Sequence, residues 1–256
     1  VANKINFNNF KQINIDNSNS TLDIAHNYCL DNNVNTIAFS YFQTSGRGRG
    51  SNSWITDSKN PNFHLAICIS KKDLINEVIN YLPFIVARTN FTLFSNFSDD
   101  IFCKWPNDIM IAVNKEWYKL SGTLIELKSN FVNIGVGINF NKVSFSRAYS
   151  LEELTGKVFI EDELLQYKQN FLQRFEDLLS QFFDNPSLFK QKIINHLNDY
   201  ALKQFKNSKC MYNNSVFKVK KISNDGSLII ANETQEQKIL SDQQILYDKW
   251  NKNSFK

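Results

Sequence analysis

Glycine is scarce in this chain, with eight among 256 residues, and cysteine (four), proline (four) and histidine (three) are scarcer still. Each shortage excludes something. Cys29, Cys68, Cys103 and Cys210 lie far apart, mostly in apolar stretches, and form no C-x-x-C pair. Buried thiols in a reducing compartment are therefore expected, and a disulfide framework or zinc site is not. Three scattered histidines argue equally against a histidine-based metal centre, and the sequence names no metal ligands. No apolar run approaches the ~20 residues that a membrane helix requires. The opening "VANKINFNNF" lacks the basic-then-apolar order of a signal segment, so a cytoplasmic protein without membrane attachment is expected. A large basic surplus is missing too: 29 Lys and Arg against 25 Asp and Glu leave +4, weak support for a dedicated nucleic-acid binder.

What the chain does have is a hydrophobic content of 42%, enough for a proper core, and a length that suits one large domain with a small appendage. "STLDIAHNYCL" offers Ser20 and Thr21 as N-caps, with Leu22, Ala25, Tyr28 and Cys29 at helical spacing, and predicts a helix from about residue 21. "VNTIAFSYF" and "FHLAICIS" read as strands, with "QTSGRGRG" on the loop between them. "DLINEVINYLPFIVARTNFTLF" predicts a long helix bent or broken near Pro83; "DIMIAV", "WYKLSGTLIEL" and "FVNIGVGINF" predict paired strands. From Asp162 the apolar residues recur at three- and four-residue steps, and a second helix follows Pro186. The last fifty residues alternate around Asn224-Asp225-Gly226, a turn signal, and predict a small β unit with its boundary near residue 205.

The few glycines are concentrated. Gly46, Gly48 and Gly50 alternate with Arg47 and Arg49, while Gly122, Gly135 and Gly137 interrupt apolar strands, where glycine marks the close approach of a ligand or another backbone. The pattern is neither a Walker loop, which needs Gly-Lys-Ser/Thr, nor the dinucleotide fingerprint, which needs glycine where Ser51 stands. Bare backbone beside guanidinium groups nevertheless suits a phosphate or carboxylate, the alternative being a solvated loop. "KWPND" sets Trp105, Asn107 and Asp108 around a proline, able to stack on a ring and bond its edge, or else to form a structural turn.

Together these segments resemble one family, the biotin-protein ligases. "SGRGRGSNSW" is similar to that family's ligand loop with its following tryptophan, Trp54; "KWPND", "KLSGTLIEL" and "GVGIN" follow in the family's order. "NSNSTLDIA" resembles its Ser-Thr biotin-contacting turn, with Leu22 where Asn or Met is more usual, and Gly50-Ser51 departs from the family's further arginine. The resemblance implies an α+β catalytic domain of the class II synthetase-like type, a mixed or antiparallel sheet with helices, over residues 1–205. It implies an SH3-like β-barrel over residues 206–256. The activity implied is ATP-dependent formation of biotinyl-5'-AMP and pyrophosphate, with Mg2+, then transfer of biotin to a lysine of a biotin carboxyl carrier domain.

Carried over residue by residue, the resemblance implies biotin contacts from Ser20, Thr21, Leu22, Gln43, Gly46, Arg47, Gly48, Arg49, Lys119 and Gly122. It implies ATP contacts from Arg47, Arg49, Trp54, Asn107, Lys119 and Asn139. Lys119, Arg47 and Arg49 take the catalytic role of neutralising two anions that must meet, and Asp108 either holds Mg2+ indirectly or braces its loop. Two other functions stay open: a lipoyl or octanoyl ligase or transferase of the same fold, and a nucleic-acid binder using the Gly-Arg loop. Only nineteen residues precede Ser20, so the monofunctional type without a DNA-reading domain is expected, and a homodimer is compatible with the family.

Overall fold

"TIAFSYFQ" and "FHLAICIS" are buried along almost their whole length, which suits strands covered on both faces. In the computed structural model they form β2 (Thr36–Gln43) and β5 (Phe63–Ser70), antiparallel neighbours with Ile37 opposite Ile67. The structure describes residues 5–50, 52–54, 59–203, 205–241 and 244–247. Ser51, where the ligand loop departs from the family pattern, lies outside them. A seven-stranded sheet runs in the order β1 (Lys11–Ser18), β2, β5, β9 (Phe131–Ile138), β8 (Glu116–Lys128), β7 (Asp108–Val113) and β6 (Ile101–Lys104). Strand β1 is parallel to β2 and every other pairing is antiparallel, so the sheet is mixed and the fold α+β, as expected.

One face of the sheet is shared between a helix and an open site. Helix α1 (Thr21–Asn32) begins where the extended Ser20 accepts a hydrogen bond from the Asp23 amide, and it ends at Asn33, whose φ of 52° is left-handed. Its Leu22, Ala25 and Cys29 bury against Ala38, Ala66, Cys68 and Leu124, the small residues letting the helix lie close to the strands. Beyond the N-terminus of α1 that face is uncovered by helix.

The other face carries the main core. Helix α2 (Asn76–Phe94) continues as one element through Pro83, so of the two outcomes expected there, a bend or a break, the break does not occur. Proline removes one backbone donor, but Val78, Leu82, Ile85, Val86 and Phe94 are fully buried on both sides of it and hold the helix to the sheet. Helix α3 (Leu151–Thr155) is short; α4 (Glu161–Asp184) packs on α2, and α5 (Pro186–His196) starts with its proline at the first turn and Asn185 as cap.

The C-terminal segment forms an antiparallel sheet in the order β13 (Glu236–Ile239), β12 (Leu228–Ala231), β11 (Ser215–Ile222), β10 (Lys209–Tyr212), β14 (Leu246–Tyr247). Its ends, β13 and β14, are not paired among the described residues, so the sheet is open where a closed barrel was expected. Its core joins that of the larger sheet: Trp117 packs on Phe102, Phe205 and Tyr247. Trp105 does not stack in a ligand site. It is buried, and its indole N–H donates to the Gly226 carbonyl at 2.9 Å, while the Tyr81 hydroxyl donates to the Asn224 carbonyl at 2.6 Å. The predicted turn is thus the point where the two sheets grip.

Gly226 sits there with φ 88°, and a methyl group on it would lie 2.6 Å from the Phe84 ring. Gly226→Ala is expected to destabilise the whole chain by about 1–3 kcal/mol through backbone strain and overpacking. Urea unfolding followed by far-UV circular dichroism measures this; an unchanged midpoint would show that the turn does not tie the sheets together.

Candidate active site

Gly122 on β8 and Gly137 on β9 face each other across the two strands, and His64 on β5 lies opposite Gly137 on the same face. The pair makes a bare strip of backbone. The indole of Trp54, on the hairpin β3 (Gly46–Arg47) and β4 (Ser53–Trp54), lies on that strip: a Cβ on Gly137 would sit 2.4 Å from it, and one on Gly122 2.8 Å. Side chains at either position would lift the indole off the floor.

Lys119 reaches the same floor because of an irregularity in the sheet. Strict alternation along β8 would put residues 119 and 122 on opposite faces. Between β7 and β8 the register breaks, Ile109 pairing with Ser121 but Met110 with Lys119, and this bulge brings both residues to one face. A Cβ on Gly122 would come within 2.8 Å of Lys119 Cε. The ammonium lies 2.9 Å from Asp108 Oδ1 and 5.9 Å from the centre of the Trp54 ring. Its backbone is clamped from both sides: the Lys119 N–H donates to Arg147, and the Asn139 side-chain amide donates to the carbonyls of Lys119 and Tyr149.

Asp108 has a second cation, Lys104 Nζ, 3.7 Å from its other oxygen. Burial alone would raise the Asp108 pKa, but Lys119, Lys104 and Arg49 outweigh it and hold the carboxyl below the ordinary value. Asp108 therefore acts as the anchor of a cationic cluster. Arg49 donates to Asn107 Oδ1 at 2.8 Å, and Asn107 in turn donates to the Thr123 carbonyl, so this buried asparagine braces Arg49 and is not itself in the cavity wall. Arg47 turns the other way, to Asp23 at 2.6 Å and Glu126 at 3.4 Å.

The opposite end is polar and uncharged. Gln43 Oε1 accepts from both the backbone N–H and the hydroxyl of Thr21, which fixes the start of α1 against β2. Gly46 leaves room for the Gln43 amide, a Cβ there coming 2.4 Å from Gln43 Nε2. One cavity of about 540 Å³ runs between the two ends. Its walls include Ser20, Thr21, Leu22, Gln43, Arg47 and Gly48, together with Arg49, Trp54, Lys119, Gly122 and Asn139. The structure thus gathers eleven of the thirteen sequence-derived candidates around one space, Gly46 and Asn107 standing behind the wall. Among the wall residues that escaped the sequence reading are two with polar or charged side chains in position to meet a ligand, Lys104 and His64. Lys104 stood within the "KWPND" motif; His64 gave no signal, being one apolar-flanked histidine in a strand.

Among the described residues no cluster of three His, Cys, Asp or Glu could hold a metal. Asp108 is a single carboxylate engaged by two lysines, so the described residues of this site form no cage for Mg2+.

The model of the biotin/lipoate A/B protein ligase family matches residues 15–141, a span that includes every candidate from Ser20 to Asn139. The chain is similar to a biotin–protein ligase of Schizosaccharomyces pombe, 24% identical over 148 residues. That match covers 52% of this chain and spans only 24% of the length of the yeast protein. The fold is shared with the biotin protein ligase of Aquifex aeolicus in complex with biotin and ATP, at a TM-score of 0.70, 23% identity, and 93% and 98% coverage of the two chains. The Leishmania major biotin protein ligase in complex with biotinyl-5-AMP is similar at a TM-score of 0.58 and 19% identity, with 90% and 99% covered.

Asp108→Asn tests the cationic cluster. Losing the charge leaves Lys104 buried without its counter-ion, and a loss of about 1–3 kcal/mol at neutral pH is expected. Because the folded-state pKa lies below the unfolded value of ~3.9, the parent's advantage is present above that pH and disappears as pH falls through the folded value. Denaturation of parent and variant from about pH 7 to pH 3 should show their difference shrinking on the acid side; a constant difference would mean that Asp108 acts by packing alone.

Proposed function

Starting from a chain that belongs to the biotin/lipoate A/B protein ligase family, we propose that it is an ATP-dependent biotin-protein ligase. The observation that carries the proposal is the order of surfaces along the cavity described above: an uncharged hydrogen-bonding end, a glycine floor, and a cationic end built on Lys119. A neutral bicyclic head with an acid tail fits that sequence of surfaces.

In the first step the biotin carboxylate oxygen attacks the α-phosphorus of ATP, the bond to the β-phosphate oxygen breaks, and pyrophosphate leaves. Two anions must approach, and Lys119 stands where its ammonium can bridge carboxylate and α-phosphate. Asp108 and Lys104 keep that ammonium in place on the bulged strand, so little reorganisation is needed. Arg49, held by Asn107, adds charge on the phosphate side; Arg47 joins it by leaving Asp23 and Glu126. Trp54 offers a ring face to a base or to the biotin head, and magnesium arrives on the nucleotide as part of the substrate. In the second step the neutral amine of a carrier lysine attacks the mixed anhydride, forming an amide and releasing AMP. The acceptor we propose is a biotin carboxyl carrier domain.

The division into residues 1–205 for catalysis and 206–256 for an SH3-like unit belongs to the same proposal. So do a cytoplasmic setting, a possible homodimer and the lack of sequence-specific DNA binding.

The test is biotin-dependent exchange of labelled pyrophosphate into ATP, run with lipoate in parallel. Biotin should support exchange and lipoate should not; lipoate-dependent exchange alone would establish the lipoyl reading instead. Lys119→Gln should lower the exchange rate by on the order of a hundredfold, the scale of losing a preorganised charge donor, with a much smaller effect on biotin binding. Equal losses in rate and binding would make Lys119 a binding residue only.

A further inference from the structure

His64 is buried in the wall of the cavity, 2% exposed, and neither ring nitrogen has a hydrogen-bond partner among the described residues. Its surroundings are well defined. It stands on β5 between Ser40 of β2 and Gly137 of β9, on the face that the N-terminus of α1 leaves uncovered. The Ser40 hydroxyl is committed to the carbonyls of Asp16 and Phe42, and Gly137 has no side chain, so neither neighbour satisfies the ring. Over Gly137 lies Trp54, whose indole N–H is also buried without a partner among the described residues. Two unmet polar side chains therefore flank the same bare glycine inside one cavity.

An unsatisfied buried imidazole costs stability, and such a group persists where a ligand meets it. We propose that His64 is a specificity-determining residue of the cavity: its imidazole hydrogen-bonds the cyclic urea of the bound acid and thereby selects it over an acid with a ring that cannot hydrogen-bond. The assignment rests on the ligase function proposed above and narrows its substrate. A neutral imidazole carries one donor and one acceptor, matching a urea's carbonyl and N–H groups. Burial pushes the His64 pKa down to about 3, so the ring is neutral throughout the working range. A value so low also makes it unsuited to accept the proton of the carrier amine, which leaves recognition as its task. A dithiolane ring in the same place would leave both nitrogens unmet, the condition under which polar sites reject a ligand most strongly.

The experiment uses the full chain, with biotin and lipoate as probes in isothermal titration calorimetry. His64→Phe should weaken biotin by roughly tenfold to a hundredfold and leave lipoate binding unchanged or stronger. His64→Gln, which keeps a donor and an acceptor, should recover part of the biotin affinity. Removal of the unmet imidazole should also raise the melting temperature of the ligand-free His64→Phe protein, so that stability and biotin affinity move in opposite directions. In the exchange assay the variant's KM for biotin should rise with little change in kcat. Parent-like biotin affinity in His64→Phe would overturn the assignment, as would equal losses for both acids, which is the mark of a steric block. A parent chain that binds lipoate and not biotin would overturn the ligase proposal itself, and this is read from the parent alone.

Discussion

A break in strand register decides on which face of the sheet the ammonium of Lys119 stands. Had β8 kept strict alternation against β7, Lys119 would point to the opposite face of the sheet, packed by α2 and α4 and away from the cavity. The bulge turns it to the open face, beside Gly122 and against Asp108. The rest of the site follows from that placement. The glycines must be bare because Trp54 and the lysine stem both lie on them, and Asp108 must be ionised because two lysines converge on it.

Each cation of the site has a polar or acidic partner within the protein. Arg47 is held by Asp23 and Glu126, Lys119 by Asp108, and Arg49 by Asn107. Repulsion among closely spaced cations is thereby relieved without a bound anion, and an arriving phosphate exchanges with these partners. The cost of exchange differs among them: Arg47 sits in a half-exposed ion pair of small net worth, whereas the Lys119 pair lies deeper beside a buried Lys104. Arg47 is therefore the cation most easily released to a ligand, and Lys119 the one whose position is fixed in advance. The polar end is organised in a similar way, with Gln43 spending its carbonyl on Thr21 and leaving its amide as the free donor.

Much of this was legible before the structure. Helix α1, the two central strands, the paired strands β7 to β9 and the helices after Asp162 follow from cap residues and periodicity, which are local signals. The glycine positions pointed to the floor because an apolar strand tolerates glycine poorly without a reason. Three things were not legible. Pro83 does not break α2, because burial on both sides outweighs one missing hydrogen bond. Trp105 serves the joint between the two sheets, a contact with residue 226 that no local pattern encodes. His64 was silent because its meaning lies in what does not touch it, and an unmet hydrogen bond has no sequence pattern.

The central claim is that the substrate carboxylate and the α-phosphate meet at Lys119 above the glycine strip. A crystal structure of the chain with biotin and a non-hydrolysable ATP analogue measures this directly. The account predicts Lys119 Nζ within hydrogen-bonding reach, about 3 Å, of both the carboxylate and an α-phosphate oxygen, with the ligand over Gly122 and Gly137 and the Trp54 indole against it. A ligand bound with its carboxylate away from Lys119, or with Lys119 still paired only to Asp108, would contradict it.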